Sequence, residues 1–441
     1  MKIAYVSADF GVPIWGCKGA SIHVREMVAS LCKAGHWVAV ISPALETAAG
    51  ENGRKVEREN WPEAVFLPIP LPQRYQQFFK EYEALDKFLG CETRLRQEQR
   101  NLLYNLTLYE QALDYLRSQH VDCIYERYSL FGYAGLRLAR ALGVPHLLEV
   151  NALLAYEQEK MRGLEMKRLA RETENRLFRE TDRMIVVSRR LYEFAASCGV
   201  PESHIHILPN AVDPQRFAPA GGDHGAAIRA RYQLGGKCVI GFVGSLKPWH
   251  GTETLVAAFQ RLRVTNAGTH LLIVGDGPER EALENYAQNH GLNSAVTFTG
   301  NVPYDDVPQY LAAMDVAVAP YVPNENFYFS PIKIFEYMAM GKPVVAGSIG
   351  QVQELISDGK TGLLYEPGSV AGLADALTTL VRDAPLCRRL GEKARAWVEK
   401  ERTWENNARQ VVEIADELIK KERAEGRWGE RKNKPPPSPF H

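Results

Sequence analysis

The chain has 441 residues, 45% of them hydrophobic, and its 53 basic and 53 acidic residues give a formal net charge of zero. This composition suffices for a core in each of two domains and argues against a nucleic-acid-binding protein, which would carry a basic excess. The seven cysteines show no closely spaced pair, and the first residues are typical of a strand and not of a signal peptide. No apolar run reaches the roughly 20 residues that span a bilayer. We therefore expect a cytoplasmic protein.

Short apolar strands alternate with amphipathic helices in the first half, which is typical of an α/β fold. The first strand, Lys2–Ser7, leads through a glycine-containing loop into a helix over Ala20–Ala34, which ends at Gly35. A stretch rich in aromatic and charged residues, 73–120, interrupts the alternation and is interpreted as a helical insertion. Further strands are predicted at Trp37–Ser42, Val65–Ile69, Asp122–Tyr125, His146–Val150, Arg183–Val187 and His204–Leu208.

The same design begins again after a segment, 209–222, that is rich in proline, glycine and alanine. Its opening strand, Cys238–Val243, is followed by a glycine loop and a helix, and later strands are predicted at Leu271–Val274, Val296–Phe298 and Val316–Ala319. The sequence therefore predicts Rossmann-like domains over 1–209 and 223–402, joined by a linker over 210–222. A helix over 403–424 is expected to cross back to the first domain, ahead of a disordered tail over 425–441.

Both halves open with a strand, a glycine loop and a helix. The unpaired N–H groups and the dipole at a helix start make an anion site that suits a pyrophosphate. Glycines at 16, 19, 244 and 251 would allow the close approach of a ligand, although they could also serve only to make turns. The NAD pattern GxGxxG is missing from both openings, which argues against a dehydrogenase.

The segment 328–342, YFSPIKIFEYMAMGK, combines a helix start with two charged residues. Ser330 and Pro331 are typical of the first positions, and Gly341 of the end. Lys333 falls in the first turn, where the helix dipole disfavours a cation, so a bound anion is indicated nearby. Glu336 follows three residues later on the same face. The pair could hold a phosphate and a sugar hydroxyl, or form an exposed ion pair.

Eight segments, weak one by one but specific in their joint order, carry a family resemblance: GASIHVREMV (19–28), YERYSLF (125–131), LPNAVD (208–213), FVGSLKPWHG (242–251), VGDGP (274–278), FTGNVPYDDVPQYLAAMDVAVAPY (298–321), SPIKIFEYMAMGKPVVA (330–346) and DGKTGLLYEPG (358–368). In these segments the chain resembles the retaining family 4 glycosyltransferases. The resemblance implies the GT-B fold, in which two Rossmann-like domains have a cleft between them, and a nucleotide-sugar site in the second domain. It implies no metal and no cofactor.

The resemblance also implies roles for residues at matching positions. Glu336 would bind the ribose hydroxyls, and the backbone of Ser330, Pro331, Ile332 and Lys333 would cap the pyrophosphate. The base would rest near Asn301, Val302 and Pro303. The donor site would be completed by Gly16, Gly19, Ala20, Gly244, Ser245, His250, Gly275 and Gly277. Residues expected in catalysis are Lys247, Lys333, Glu336 and Arg127, and residues expected on the acceptor side are His23, Glu126 and Asn151.

The chain departs from the family pattern at four of these places. Tyr328 stands where the family has the first of two glutamates, and Arg127 stands where it has a histidine. The arginine and lysine of a GRxxxxKG loop are replaced by Ser245 and His250. Lys247 could supply the missing charge by another route. The substitutions fit either a subgroup with its own geometry or an inactive homologue.

The expected reaction moves a sugar from a nucleoside diphosphate, most commonly UDP in this family, to a hydroxyl of a saccharide or lipid-linked acceptor with retention. The setting would be polysaccharide or glycolipid biosynthesis. There is no DxD motif for a divalent metal. The insertion would pack on the sheet or form an apolar wall for the acceptor, and the basic tail from Lys420 to Lys434 would be solvated or would contact an anionic membrane. The alternatives are a sugar-nucleotide epimerase and a donor-binding homologue that supports a partner transferase.

Overall fold

The computed structural model describes residues 1–16, 18–43, 64–219, 224–324 and 327–425. The chain divides into two compact units. The first unit contains Met1–Pro209 and the residues from Glu405 onward, and the second unit contains Asn210–Trp404. Each unit is built on one parallel sheet.

The sheet of the first unit has seven parallel strands in the order β3-β2-β1-β4-β5-β6-β7. Its central strands are almost wholly buried, as expected for a parallel sheet that helices cover on both faces. The strands are β1 (Lys2–Ser7), β2 (Trp37–Pro43), β3 (Val65–Ile69), β4 (Cys123–Arg127), β5 (His146–Val150), β6 (Arg183–Val186) and β7 (Ile205–Ile207). The helices are α1 (Gly19–Lys33), α2 (Arg74–Leu89), α3 (Leu95–Gln119), α4 (Ala134–Leu142), α5 (Leu154–Glu157), α6 (Lys167–Glu180) and α7 (Arg189–Ser197).

The second unit has a six-stranded parallel sheet in the order β10-β9-β8-β11-β12-β13. Its last two strands were not predicted from the sequence. The strands are β8 (Cys238–Val243), β9 (Thr269–Val274), β10 (Val296–Phe298), β11 (Val316–Ala319), β12 (Val344–Gly347) and β13 (Leu363–Tyr365). The helices are α8 (Ala226–Arg231), α9 (Thr252–Thr265), α10 (Arg280–Asn289), α11 (Val307–Ala313), α12 (Ile332–Ala339), α13 (Val352–Leu355), α14 (Val370–Arg382) and α15 (Ala384–Glu401). A last helix, α16 (Trp404–Ala424), follows α15 in the chain.

Helices α2 and α3 form the predicted insertion. Helix α3 packs on the sheet through one stripe, in which Tyr104, Leu108, Ala112 and Leu116 recur every four residues and are buried. Helix α2 buries only Tyr75 and Phe79. The packing interpretation therefore holds for α3, while α2 keeps most of its surface exposed.

The segment predicted as a linker is packed within the second unit over its described part, 210–219. Val212 pairs with Thr403 in an isolated bridge, and Phe217 is fully buried. Helix α16, from Glu405 onward, belongs to the first unit, where Asn407 Nδ2 donates to the Pro209 carbonyl at 2.8 Å. The tail predicted over 425–441 lies outside the described residues from 426 onward, and so does most of its basic run. Across the described ranges, no helix combines the length and the apolar character that a bilayer crossing requires.

Candidate functional site

The order of the second sheet reverses at β8, which has β9 on one side and β11 on the other. In open parallel sheets, ligands bind outside the carboxyl ends of the strands at such a reversal. The loop after β8 (244–251), the loop after β9 (275–277) and the start of α12 all lie at this edge. The structure therefore brings together most of the residues that the sequence assigned to a donor.

Glycines allow the loops after β8 and β9 to touch through their backbones. A Cβ on Gly277 would lie 2.6 Å from the Leu246 nitrogen, and a Cβ on Gly275 would collide with the Gly244 carbonyl. The contact is closed by a hydrogen bond of 2.9 Å from the Leu246 N–H to the Asp276 carbonyl. Gly275 and Gly277 thus shape the site by fixing the loop after β8.

Lys333 is the central charge of this site. Its side chain is half-buried, but Nζ is buried and, among the residues that the structure describes, has neither a hydrogen-bond acceptor nor an ion-pair partner. The ammonium lies 4.3 Å from the centre of the Phe242 ring, and a Cβ on Gly244 would lie 2.5 Å from it. Burial lowers the pKa of Lys333 from 10.5 to about 7, against the opposing influence of Glu336. The exposed Lys333–Glu336 ion pair does not form.

A buried ammonium without a partner is costly, because a charge that loses its water needs compensating contacts. Aromatic rings supply part of the compensation here, since Lys333 Nζ also lies 5.6 Å from the centre of the Tyr321 ring. The geometry is that of a cation held beneath a glycine loop, ready for an anion. The dipole argument from the sequence pointed to the same lysine.

Glu336 lies one turn further along α12 and is only 5% exposed. Tyr304 donates its hydroxyl to Glu336 Oε1 at 3.0 Å. Tyr304 directly follows the loop 301–303, in which Asn301 and Pro303 are exposed and Val302 is half-buried. The tyrosine therefore links the predicted ribose-binding carboxylate to the predicted base-binding loop.

The start of α12 differs from the prediction. The helix begins at Ile332 with Pro331 as its N-cap residue, so Ser330 does not cap it. The Ser330 hydroxyl instead accepts from the Asn210 N–H at 2.8 Å, and the Ser330 carbonyl accepts from Asn210 Nδ2 at 2.7 Å. The predicted cap did not form because the Ser330 hydroxyl is hydrogen-bonded to Asn210, a residue distant in sequence.

Two departures from the family pattern lie in the loop after β8. His250 Nδ1 donates to the Ser245 carbonyl at 2.5 Å, and its imidazole lies among aromatic rings, including that of Phe242. Burial and the nearby charge of Lys333 lower the pKa of His250 to about 3. His250 is therefore neutral at physiological pH and adds no charge to the donor site. Lys247 lies in the same loop, with Nζ 4.9 Å from the centre of the Trp249 ring.

Tyr328, which replaces the family's first glutamate, is buried and packs edge-on against Phe329, with ring centres 4.9 Å apart. An aromatic wall has taken the place of a charged contact at this position. The phenol keeps one polar atom there, but the carboxylate that the family pattern would supply is absent.

The first sheet also reverses its order, between β1 and β4. Ser7, Arg127 and Glu149 are register partners on β1, β4 and β5, so they form one row at the carboxyl ends of the three strands. The Ser7 hydroxyl and Arg127 Nη1 are buried and make no hydrogen bond within the described part of the chain. This row is the candidate ligand-binding edge of the first unit.

Glu149 is the hub of that row. His23 Nε2, from α1, lies 2.5 Å from one carboxylate oxygen, and the Tyr5 hydroxyl donates to the other at 3.4 Å. Burial alone would raise the pKa of Glu149, but the charges of His23 and Arg127 outweigh it and hold the pKa at about 2. Asn151 follows β5 and also lowers the pKa of Glu149. Sequence reasoning missed Glu149 and Ser7, although polar residues that end predicted strands were an available signal.

Glu126 does not join this site, which corrects the acceptor-side assignment. It is fully buried within the unit, where one carboxylate oxygen lies 2.9 Å from His146 Nε2 and the other accepts from the Gly135 N–H at 3.2 Å. Its neighbour Arg127 points to the opposite face, since successive residues of a strand alternate. Glu126 is a structural carboxylate.

The glycine loop of the first unit leads into α1, which begins at Gly19 and continues through Ala20. The Gly16 carbonyl accepts from Arg25 Nη1 at 2.7 Å, and the same nitrogen donates to the Ile14 carbonyl at 2.6 Å. Arg25 therefore holds the described part of the loop against the helix. Within the described ranges, no group of three or more His, Cys, Asp or Glu side chains is arranged to hold a metal ion.

Both units of the chain match known protein families in sequence. The family described as Glycosyltransferase Family 4 matches residues 18–216, and the family described as Glycosyl transferases group 1 matches residues 237–383. The 2-deoxystreptamine glucosyltransferase of Streptomyces kanamyceticus is 31% identical over 274 residues, which are 61% of this chain and 69% of that protein. The glycogen synthase of Mycobacterium tuberculosis is 27% identical over 94% of both chains.

The GDP-mannose-dependent alpha-(1-6)-phosphatidylinositol monomannoside mannosyltransferase of Mycobacterium tuberculosis is 33% identical over 57% of this chain. The match spans 66% of that protein, just under two thirds of its length. Among solved structures, the Anabaena protein HepE in complex with UDP has a TM-score of 0.66 at 19% identity, covering 95% of this chain and all of its own. Sucrose-phosphate synthase from Thermosynechococcus elongatus has a TM-score of 0.70 at 22% identity, covering 95% and 99%.

Two parallel-sheet units, each with glycine loops at the carboxyl edge of its sheet, define a protein of the GT-B fold, and the structural neighbours agree with that class. The chain belongs to the group 1 glycosyltransferases, with a first unit of the family 4 type.

Proposed function

We propose that this protein transfers a sugar from a nucleoside diphosphate-sugar, with a UDP-sugar as the first candidate, to a hydroxyl acceptor with retention and without a metal ion. The observation that carries the proposal is the buried, unpartnered ammonium of Lys333 beneath Gly244. A diphosphate placed at this edge of the second sheet would supply the negative counter-charge that the described residues do not provide for Lys333.

The difficult step is departure of the nucleoside diphosphate, because negative charge builds on its leaving oxygen. Lys333 would stabilise that charge, and the low dielectric constant of its buried surroundings would strengthen the electrostatic interaction. The start of α12 adds N–H groups that no side chain caps. Lys247 would bring a second cation from the loop after β8. His250, being neutral, would act only as part of the wall.

Recognition of the nucleoside would be divided between two neighbouring loops. Glu336 would bind the ribose hydroxyls, with Tyr304 fixing one of its oxygens at 3.0 Å. The exposed loop 301–303 would contact the base. The match to a GDP-mannose-dependent relative and the UDP complex of HepE support a nucleoside diphosphate in general, so the base is decided by experiment.

The first unit would hold the acceptor. Arg127 Nη1 and the Ser7 hydroxyl are buried donors that find no partner among the described residues, and Glu149 holds the row in place. Such groups suit the hydroxyls of a saccharide or a lipid-linked glycoside, as in the biosynthesis of polysaccharides or glycolipids. In the family resemblance the departing phosphate helps to deprotonate the acceptor, so no separate protein base is required.

The experiment is nucleoside diphosphate release from a panel of UDP-, GDP- and ADP-sugars in the presence of EDTA, with and without a cell-extract acceptor fraction. Wild type is compared with Lys333→Met and Glu336→Gln. Lys360→Met, in an exposed turn, is the matched control. We expect acceptor-dependent release from one donor, reduced about 10²–10³-fold by Lys333→Met. The anomeric coupling constant of the product, measured by NMR, tests retention.

Each alternative has its own outcome. Conversion of the donor sugar without an acceptor would identify an epimerase. Donor binding that raises the melting temperature, with no release under any condition, would identify a donor-binding homologue that supports a partner. Release that requires a divalent metal would contradict the metal-free mechanism.

A further inference from the structure

A second site lies in the first unit, between α2 and α3. A cavity of about 590 Å³ is bordered on α2 by four side chains spaced at i, i+3, i+4 and i+7, which form one helix face. The first two turns of α3 and Leu71 close its other sides. The residues that the argument uses are Phe79, Lys80, Glu83, Arg96, Gln97 and Arg100.

The cavity carries cationic groups that the chain does not neutralise. Arg96 pairs with Glu83, but across the described part of the chain neither Arg100 nor Lys80 has a carboxylate within ion-pair distance. Arg100 Nε and the Gln97 Oε1 atom are buried and make no hydrogen bond to any residue that the structure describes. The Arg100 guanidinium stacks on Phe10 at 4.1 Å, and its Nη2 donates to Asn101 Oδ1 at 3.5 Å, so the stacked plane leaves Nε available.

Both arginines lie in the first two turns of α3, where the helix dipole disfavours cations. Arg96 pairs with Glu83, whereas Arg100 lies beside the cavity with no described carboxylate within ion-pair distance, as Lys333 does in its own site. Guanidinium groups bind phosphate through paired N–H donors. The apolar side chains of Leu71 and Phe79 line the remaining wall, so a purely polar anion would leave apolar surface in contact with water.

We propose that this cavity binds a phosphate group, held by Arg100 and Lys80, and that the apolar wall accepts the group to which the phosphate is attached. Its lining residues all belong to the first unit, and the proposal stands or fails independently of the proposed transfer reaction. The phosphate could belong to a lipid or to a soluble phosphoester. Inorganic phosphate and octyl phosphate distinguish these two sources, since only octyl phosphate carries an apolar chain.

The test is calorimetric titration of the full chain at low salt, without any nucleotide, with inorganic phosphate and with octyl phosphate below its micelle concentration. Variants are Lys80→Gln and Arg100→Met, with Lys87→Gln as the control on the same helix. We expect saturable binding that Lys80→Gln and Arg100→Met each weaken about tenfold or more and Lys87→Gln leaves unchanged. Lys80 is exposed, so its variant remains informative if Arg100→Met fails to fold.

Tighter binding of octyl phosphate than of inorganic phosphate would support a lipid-type phosphate as the source. Equal binding of both would support the phosphate site and assign it to soluble phosphoesters. The proposal is overturned if neither probe binds saturably, or if binding is the same in wild type, Lys80→Gln and Arg100→Met.

Discussion

Replacing Lys333 by methionine should make the protein more stable and less active at once. Methionine keeps the length and apolar contacts of the side chain beside Phe242 and Tyr321 but removes the buried charge. The lysine pKa falls from 10.5 in the unfolded chain to about 7 in the fold, so the charged form opposes folding.

The magnitude follows from that difference. At about 1.4 kcal/mol per pKa unit, the lowering from 10.5 to about 7 sets a ceiling of about 5 kcal/mol. Loss of the two cation–ring contacts, at about 0.5–2 kcal/mol each, offsets part of it. We expect Lys333→Met to raise the free energy of unfolding by about 1–3 kcal/mol, which is a melting-temperature rise of several degrees.

The pH dependence has a definite sign. Below about pH 7 lysine is charged in both states and the full cost is present. Between about 7 and 10.5 only the unfolded chain stays protonated, so wild-type stability rises with pH and the advantage of the variant disappears. Chemical unfolding of both proteins at several pH values measures this.

Lys342→Met is the matched control. Burial also lowers the pKa of Lys342, to about 8, but its Nζ donates to the carbonyls of Ala312 and Met314, at 3.1 and 2.6 Å. Removing this lysine leaves two buried acceptors unpaired, and each unpaired acceptor costs about 1–3 kcal/mol. We expect Lys342→Met to destabilise the protein. The reasoning on Lys333 is refuted if Lys333→Met destabilises it as well, or if its nucleoside diphosphate release equals that of wild type.

Three further predictions concern the same sites. Lys333 has a pKa of about 7 in the free protein, and a bound diphosphate favours its charged form, so donor binding should take up a proton and weaken as pH rises above 7. Titration calorimetry in buffers of different ionisation enthalpy measures this proton uptake, and no uptake should occur in Lys333→Met. The pKa of Glu149 is lowered from 4.5 to about 2, so Glu149 should contribute up to about 3 kcal/mol to the free energy of unfolding. This contribution is present above pH 4.5 and is lost as pH falls toward 2. In Glu149→Gln the free energy of unfolding should therefore fall less steeply over this acid range. Gly277→Ala should push the loop after β8 out of place and abolish donor binding in thermal-shift assays. Gly268→Ala is the control, because its Cβ would meet no atom, and it should bind donor as wild type does. Normal donor binding by Gly277→Ala would contradict the packing role of that glycine.

The alternation of strands and helices was readable from the sequence because it depends on local periodicity. Strands at Lys2–Ser7, Val65–Ile69, His146–Val150 and Cys238–Val243 were predicted at their observed bounds. The short strands β12 and β13 were missed, although β10 and β11, which have three and four residues, were predicted at their observed bounds. Helix ends were less secure, as Ser330 illustrates, because a cap can be displaced by a partner far along the chain.

The sequence by itself determined that Lys333 and Glu336 share one face of a helix and that a cation stands against that helix dipole, since both depend only on spacing. Only the tertiary structure decided that Lys333 Nζ lies beneath Gly244 without a partner, and that His250 is too buried to carry charge. The same holds for the row of Ser7, Arg127 and Glu149. These contacts depend on the order and register of strands and on how deeply a loop packs, and no local pattern of residues encodes either.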